Sequence, residues 1–213
     1  MKRTAFDIHT EKYDIWYDEN PAVYASELEA IRELMPSKIF HNSIEIGVGT
    51  GRFASELGVT YGLDPSEGML KIADSRKVEC IKGVAEKLPV KNSSMELALM
   101  VTSLCFMDAE KALNETYRVL APEGFLIVAF VERNRPLGEE YRKRKAESSF
   151  YKKIGFHTTD EVLSMLKEHG FEDMLIKQTL FKPLKMIRDT EKPEEGFGKG
   201  SFVVIRARSI KHE

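Results

Sequence analysis

Apolar residues in this chain fall into short bounded runs separated by stretches of helical spacing, an alternation that predicts a layered α/β fold. Ser43-Ile44-Glu45-Ile46 is short, branched and followed by glycines, as a buried strand should be. After Gly51, the residues Phe53, Ala54 and Leu57 recur at helical spacing and the pattern stops at Gly58. Residues 59–63 read as a second strand and Asp64-Pro65-Ser66 as a turn, with Ser66 placed to cap a helix carrying Met69, Leu70, Ile72 and Ala73. A third short strand at 80–82 leads through Gly83 to the loop Leu88-Pro89-Val90. Residues 97–101 are almost unbroken apolar, which suits a central parallel strand covered on both faces. Residues 108–120 place Ala112, Leu113, Tyr117 and Leu120 on one helical face, and Pro122-Glu123-Gly124 turns into a strand at 125–131. Five strands separated by helices predict an open, mostly parallel sheet with helices on both faces.

The two flanks are less regular. Residues 1–36 form an aromatic, acidic lead-in in which Tyr13, Trp16, Tyr17 and Tyr24 mix with Asp14, Asp18 and Glu19, and residues 27–34 read as a helix closed by Pro36. Such aromatics either pack on the main body or close over a ligand as a lid. Residues 133–157 are basic and aromatic without a strand signal, and read as an insertion or cap near an acceptor site. Residues 158–169 regain helical spacing, and two late strands at 174–180 and 202–207, with no helix between them, should pair antiparallel. The 213 residues are expected to form one domain.

A formal charge of -2 argues against a dedicated nucleic-acid binder, which would carry a basic surplus. The longest apolar run, 125–131, is far short of a membrane span, and the N-terminus offers no signal-peptide core, so a soluble, cytoplasmic protein is expected. Cys80 and Cys105 lie apart in apolar surroundings, as reduced core thiols do, and neither has a Cys or His at zinc-ligand spacing; no metal is expected. Lys and Glu are abundant while Gln178 is the sole glutamine, a bias that suggests a thermophilic source.

The chemistry concentrates in Glu45-Ile46-Gly47-Val48-Gly49-Thr50-Gly51-Arg52, a glycine-rich turn between a strand and a helix, where a ligand can approach the backbone closely. Asp64 ends the next strand, where an acid can accept both hydroxyls of a ribose. The dinucleotide fingerprint needs Gly or Ala at its sixth position, and Arg52 stands there instead. Glu45 would repel a pyrophosphate but attract an ammonium group. A ligand with a ribose at one end and a cationic amino acid at the other is S-adenosylmethionine.

That segment, with Gly62-Leu63-Asp64-Pro65-Ser66, Gly83-Val84-Ala85-Glu86-Lys87-Leu88-Pro89 and Tyr117-Arg118-Val119-Leu120-Ala121-Pro122-Glu123-Gly124, closely resembles the class I S-adenosylmethionine-dependent methyltransferases, and among them the UbiE-like, type 11 group. The match runs in order over residues 40–132. The resemblance implies a Rossmann-like seven-stranded sheet of order 3-2-1-4-5-7-6 with strand 7 antiparallel. It also implies that Gly47, Gly49 and Gly51 line the methionyl part with Thr50 among the contacts, that Glu45 holds the amine and that Asp64 binds the ribose. Pro65 and Met69 would flank the adenosine, Ala85 and Glu86 would sit at the adenine, and Thr102 would close the methionine side. Val84 departs from the pattern, standing where many members carry an acid for the adenine amine, which leaves that contact to backbone groups and Glu86.

Methyl transfer is an in-line displacement at an already activated carbon, and orientation alone supplies on the order of 7 to 11 kcal/mol. No catalytic base is therefore required; His157 and Glu132 are the candidates if the acceptor is protonated. The expected acceptor is a small molecule with an N, O or C nucleophile. Tyr13, Trp16, Tyr17, Phe106, Tyr141 and Tyr151 are the candidate lining, and the nearby acids suit a cationic amine. An RNA methyltransferase and a non-catalytic cofactor-binding regulator are the alternatives, and oligomeric state is not legible. Plainer readings stand beside several features: Trp16, Tyr13 and Tyr17 as a packed helix face, residues 142–145 as a solvated basic face, Cys105 as a small buried hydrophobe, and Gly196-Phe197-Gly198-Lys199-Gly200 as a hairpin turn.

Overall fold

The computed structural model describes residues 10–144 and 155–211. Two helices, α1 (Thr10–Glu19) and α2 (Pro21–Leu34), lead into the alternation β1 (Ser43–Ile46), α3 (Arg52–Leu57), β2 (Tyr61–Asp64), α4 (Glu67–Ser75), β3 (Glu79–Lys82), β4 (Met95–Val101), α5 (Ala109–Val119) and β5 (Leu120–Val131). Then come α6 (Pro136–Arg144), α7 (Thr159–Glu168), β6 (Phe171–Thr179), β7 (Glu194–Glu195) and β8 (Phe202–Ser209). Local chemistry sets several of these ends. Ser66 accepts the Met69 amide at the start of α4, Asp108 accepts that of Lys111 before α5, and Thr158 and Glu161 close a capping box on α7.

The sheet order is β3-β2-β1-β4-β5-β8-β6-β7. Neighbours from β3 to β5 are parallel, and β8 runs antiparallel to both β5 and β6. This is the expected order with β8 as the seventh strand, but the sheet has eight strands instead of seven. The extra one, β7, pairs only Glu194 and Glu195 with Gln178 and Lys177. Two polar residues leave no periodicity for a sequence pattern to register. Residues 196–200 are likewise not a hairpin turn: β7 and β8 lie on opposite sides of β6, so the glycines carry the chain from one side to the other. Gln178 Oε1 holds that crossing by accepting the Lys199 and Gly200 amides at 2.8 Å each.

Alternation along the strands builds a core on each face. Leu97, Leu99, Val101, Ile127 and Ala129 pack with α1 to α4, whereas Ala98, Met100, Leu126 and Val128 pack with α5 and α7. The helix expected over 27–34 begins earlier, at Pro21, where a missing amide costs nothing in the first turn. Helix α1 packs Tyr13, Trp16 and Tyr17 on the core, and its polar side is occupied by the ion pairs described below. Cys80 and Cys105 are both free thiols, and among the described residues no helix is long and apolar enough to cross a membrane.

Candidate active site

β1 and β4 are neighbours, so the connections leaving their carboxyl ends diverge and open a crevice there. The glycine turn after β1 fills its floor. Gly47 has φ +76°, and a Cβ there would lie 2.5 Å from the Cβ of Ser103; Gly51 has φ +77°, with Ala73 Cβ at 2.9 Å. Close packing and a left-handed backbone therefore demand glycine at both positions, ligand or not. Gly49 differs, since its added Cβ would meet only the Tyr13 ring, at 3.5 Å. The turn is tied to the next strand: the Gly47 and Val48 amides donate to Leu63 O, and the Gly49 amide donates to Asp64 Oδ2 at 3.0 Å. The other oxygen of Asp64 accepts the Ser66 amide at 2.8 Å.

Glu45, on β1, is 2% exposed, and its Oε2 has no hydrogen-bond partner. Burial pushes its pKa up to about 8, with the Ala54 amide pulling it down and the Asp64 charge adding to the rise. A buried carboxylate oxygen without a donor costs free energy. Here it lies on the strand that runs into the glycine turn.

A cavity of about 250 Å³ opens at the same edge of the sheet. Helix α1 contributes Tyr13, Trp16 and Tyr17, α2 contributes Glu27, and the segment after β4 contributes Thr102, Cys105 and Phe106. Tyr141 of α6 stacks with Phe156 at a centroid distance of 6.3 Å, and His157 completes the wall. Tyr13 links cavity and glycine turn. Its hydroxyl is 3.0 Å from that of Tyr17 and also bonds the Thr102 side chain, while burial raises its pKa to about 12. The charges of both Glu45 and Glu27 add to that rise. Thr102 itself has φ +50°, an uncommon conformation for a β-branched residue. Glu27 is 3% exposed, burial alone raises its pKa to about 8, and it makes no hydrogen bond or ion pair to the described residues. Burial also lowers the His157 pKa and raises that of Cys105 to about 12, so both are uncharged at neutral pH.

Ion pairs fasten α1 onto this floor. Arg52, next after Gly51, donates through Nε to Asp14 Oδ1 and through Nη2 to Asp18 Oδ2, both at 2.8 Å. Arg76 donates to Asp14 Oδ2 at 2.8 Å and to the Thr50 carbonyl at 2.7 Å. Burial would raise the Asp14 pKa, but the bonds from Arg52, Arg76 and Thr50 overcome it and hold the carboxylate well below its ordinary range.

The structure brings Tyr13, Trp16, Tyr17, Thr102, Phe106 and Tyr141 together around one cavity; Tyr151 lies outside the described residues. Thr50 is buried in the glycine turn. At the far end of the crevice Pro65 and Val84 are exposed, Met69 and Ala85 are buried, and one oxygen of Glu86 accepts the Asp108 amide at 2.9 Å. Glu132 bonds the Asn134 amide and is not part of the cavity wall, whereas His157 is. Sequence reasoning passed over Glu27 and Phe156. For Glu27 a signal existed: it stands at helical spacing from Val23, Ala30 and Ile31, an acid on the apolar face of its helix.

Residues 44–128 match the family described as Methyltransferase domain. A crystal structure of a SAM-dependent methyltransferase, possible histamine N-methyltransferase, from Thermotoga maritima superposes with a TM-score of 0.91 at 43% identity, covering 96% of this chain and 97% of that one. An uncharacterized protein of Methanocaldococcus jannaschii is 39% identical over 206 residues, 96% of this chain and 98% of its own length. The demethylmenaquinone methyltransferase of Thermotoga maritima is 28% identical over 209 residues, covering 78% of this chain and 86% of its own. With the glycine turn, the strand order and likeness across nearly the whole chain in agreement, the chain belongs to the S-adenosylmethionine-dependent methyltransferases.

Proposed function

We propose that this enzyme transfers a methyl group from S-adenosylmethionine to a small-molecule nucleophile held in the aromatic cavity, with an amine as the acceptor. The observation that carries the cofactor's placement is the buried, unpartnered oxygen of Glu45 beside the glycine turn, which fits the amino group of the methionyl part. Gly47, Gly49, Thr50 and Gly51 would surround that part. Asp64, at the carboxyl end of β2 beside the glycine turn, would take the ribose hydroxyls. Pro65, Met69, Ala85 and Glu86 would hold the adenosine. Thr102 would border the methyl.

When bound, the cofactor supplies an electrophilic methyl on a sulfonium. The chain's own work is orientation and exclusion of water: aromatic walls hold the acceptor against the methyl, and Tyr13 separates the two compartments while bonding Thr102 and Tyr17. Residues 1–36 act in this reading as a lid, pinned by Asp14, and residues 133–157 as a cap, within one methyltransferase unit over 1–213. A cavity of about 250 Å³ is below the roughly 300–1,000 Å³ of drug-sized pockets, which favours a small acceptor. The amine is favoured by a buried carboxyl in a wall rich in aromatic rings and by the name of the Thermotoga maritima methyltransferase. Calorimetric titration with S-adenosylhomocysteine tests the cofactor site: micromolar binding is expected, with a loss of about tenfold or more in Glu45→Ala. An enzyme that ignores S-adenosylhomocysteine would overturn the reading.

A further inference from the structure

Glu27 has no structural task that the fold reveals. It is 97% buried by side chain and backbone together, on the face of α2 that packs Val23 and Ile31 into the core, and a leucine there would be the cheaper residue. Instead its carboxyl meets the cavity, with neither a hydrogen bond nor an ion pair to the described residues. The same cavity is lined by Lys12, Tyr13 and Tyr17 from α1, Cys105 from the loop after β4, Tyr141 from α6, and His157. Glu191, whose amide bonds Ser26 beside it, directs its own carboxylate to the Phe181 amide and the Lys182 ammonium. An acid lining a cavity, walled by rings and lacking a partner is built for a ligand that brings a cation or a proton.

We propose that Glu27 recognises the amino group of the acceptor and takes the proton that this group must lose before attack, which makes small primary and secondary amines on a ring or apolar body the preferred acceptors. The inference rests on the methyltransferase reading above and deepens it. An amine enters as its ammonium form, paired with the Glu27 carboxylate. One N–H proton passes to a Glu27 oxygen, and the freed nitrogen lone pair forms the bond to the methyl carbon. The carbon–sulfur bond breaks with its electron pair left on sulfur, the product leaves as the methylated ammonium, and the Glu27 proton goes to water. Tyr13 lines the cavity with Glu27 and lies against Gly49 of the glycine turn, so in this reading Glu27 addresses the acceptor's cation and Glu45 the cofactor's. The aromatic walls favour a cation near their faces as well.

Trp16 is the only tryptophan and lines the cavity, so its fluorescence reports occupancy there. The test titrates 2-phenylethylamine and its isostere 2-phenylethanol into the full chain saturated with S-adenosylhomocysteine, and follows methyl transfer from S-adenosylmethionine to the same two probes. Wild type should bind the amine about tenfold tighter than the alcohol, and Glu27→Gln should erase that preference while keeping its affinity for S-adenosylhomocysteine. The pH profile separates a proton-accepting role from a packing one. In wild type the rate should level off above pH 8, where the buried carboxyl, with its pKa near 8, is ionised. In Glu27→Gln it should keep climbing about tenfold per pH unit toward the amine's own pKa of about 10, because only amine already free of its proton can react. Glu27→Asp should recover part of the wild-type profile. Equal binding of amine and alcohol by wild type, or a preference and a profile that survive in Glu27→Gln, would overturn the proposal and leave methyl transfer standing. Absent S-adenosylhomocysteine binding in wild type would remove both.

Discussion

The amide of Gly49 donates to the carboxylate of Asp64 across 3.0 Å, so the acid assigned to the ribose also holds the glycine turn in shape. Its second oxygen does the same for the turn that starts α4, through the Ser66 amide. Asp64→Ala is therefore expected to lose about 1–3 kcal/mol of stability as well as at least about tenfold in affinity for S-adenosylhomocysteine. Asp64→Asn keeps one carbonyl oxygen and should fall between the two. Urea unfolding and calorimetry on the three proteins decide the matter, and unchanged affinity in Asp64→Ala would refute the ribose assignment.

Glu45 and Glu27 make the empty enzyme's stability depend on pH in a direction opposite to ordinary acid unfolding. Burial raises both to about 8 from the usual 4.5, so between those values the folded chain binds more protons than the unfolded one. Stability contributed by keeping these groups protonated is complete below pH 4.5, falls as pH rises through the window, and stays lost above 8. Urea midpoints taken at pH 5, 7 and 9 should decline accordingly. Glu45→Gln should flatten part of that slope and be more stable than wild type at pH 9, while binding S-adenosylhomocysteine more weakly. An unchanged slope in that variant would mean that Glu45 is not the group being titrated.

Asp14 joins α1 to two arginines that belong to the body of the enzyme, Arg52 beside the glycine turn and Arg76 at the end of α4. Side chains at this junction are only 14–25% exposed, which puts the pairs between the surface and the buried regimes. Asp14→Ala leaves two cations without their shared acceptor and should cost about 1–2 kcal/mol. It should also free α1, seen as faster limited proteolysis at Lys12, and raise KM for both substrates more than it lowers kcat. Proteolysis at the wild-type rate would argue that α1 is held by its aromatic packing instead.

The central sheet was legible because its physics is local. Branched runs bounded by glycines mark β1 and β2, and the unbroken apolar run of β4 marks a strand covered on both faces. The antiparallel pairing of β6 with β8 followed from the lack of a helix between them. What escaped notice depends on distant partners. The aromatic face of α1, Tyr13, Trp16 and Tyr17, was legible, but its anchoring through Asp14 to Arg52 and Arg76, dozens of residues away, was not. The strand β7 exists only as two rungs on β6. Around the cofactor crevice, Gly47 and Gly51 could be named from the motif, but that Ser103 and Ala73 enforce them is visible only once β4 and α4 are packed against the turn. Glu27 sat in plain view on an apolar helix face and was passed over because no short motif contains it.

Thr102 pairs strain with position, and two substitutions separate them. Its φ of +50° costs an L-residue with a Cβ roughly 1–2 kcal/mol, yet it follows β4 directly at the cavity and its side chain bonds Tyr13. Thr102→Ala removes the hydroxyl and keeps the strained Cβ; Thr102→Gly removes both. The glycine variant should therefore unfold at a higher urea concentration than the alanine variant, by about 1 kcal/mol, although glycine is ordinarily the weaker residue. Catalysis should not follow stability. If the hydroxyl positions Tyr13 between acceptor and cofactor, both variants should lose kcat to the same extent, and the more stable one should gain nothing. Were Thr102→Gly to retain full kcat, the strain would have to be explained by the turn out of β4 alone, and Tyr13 would not need this partner to divide the site.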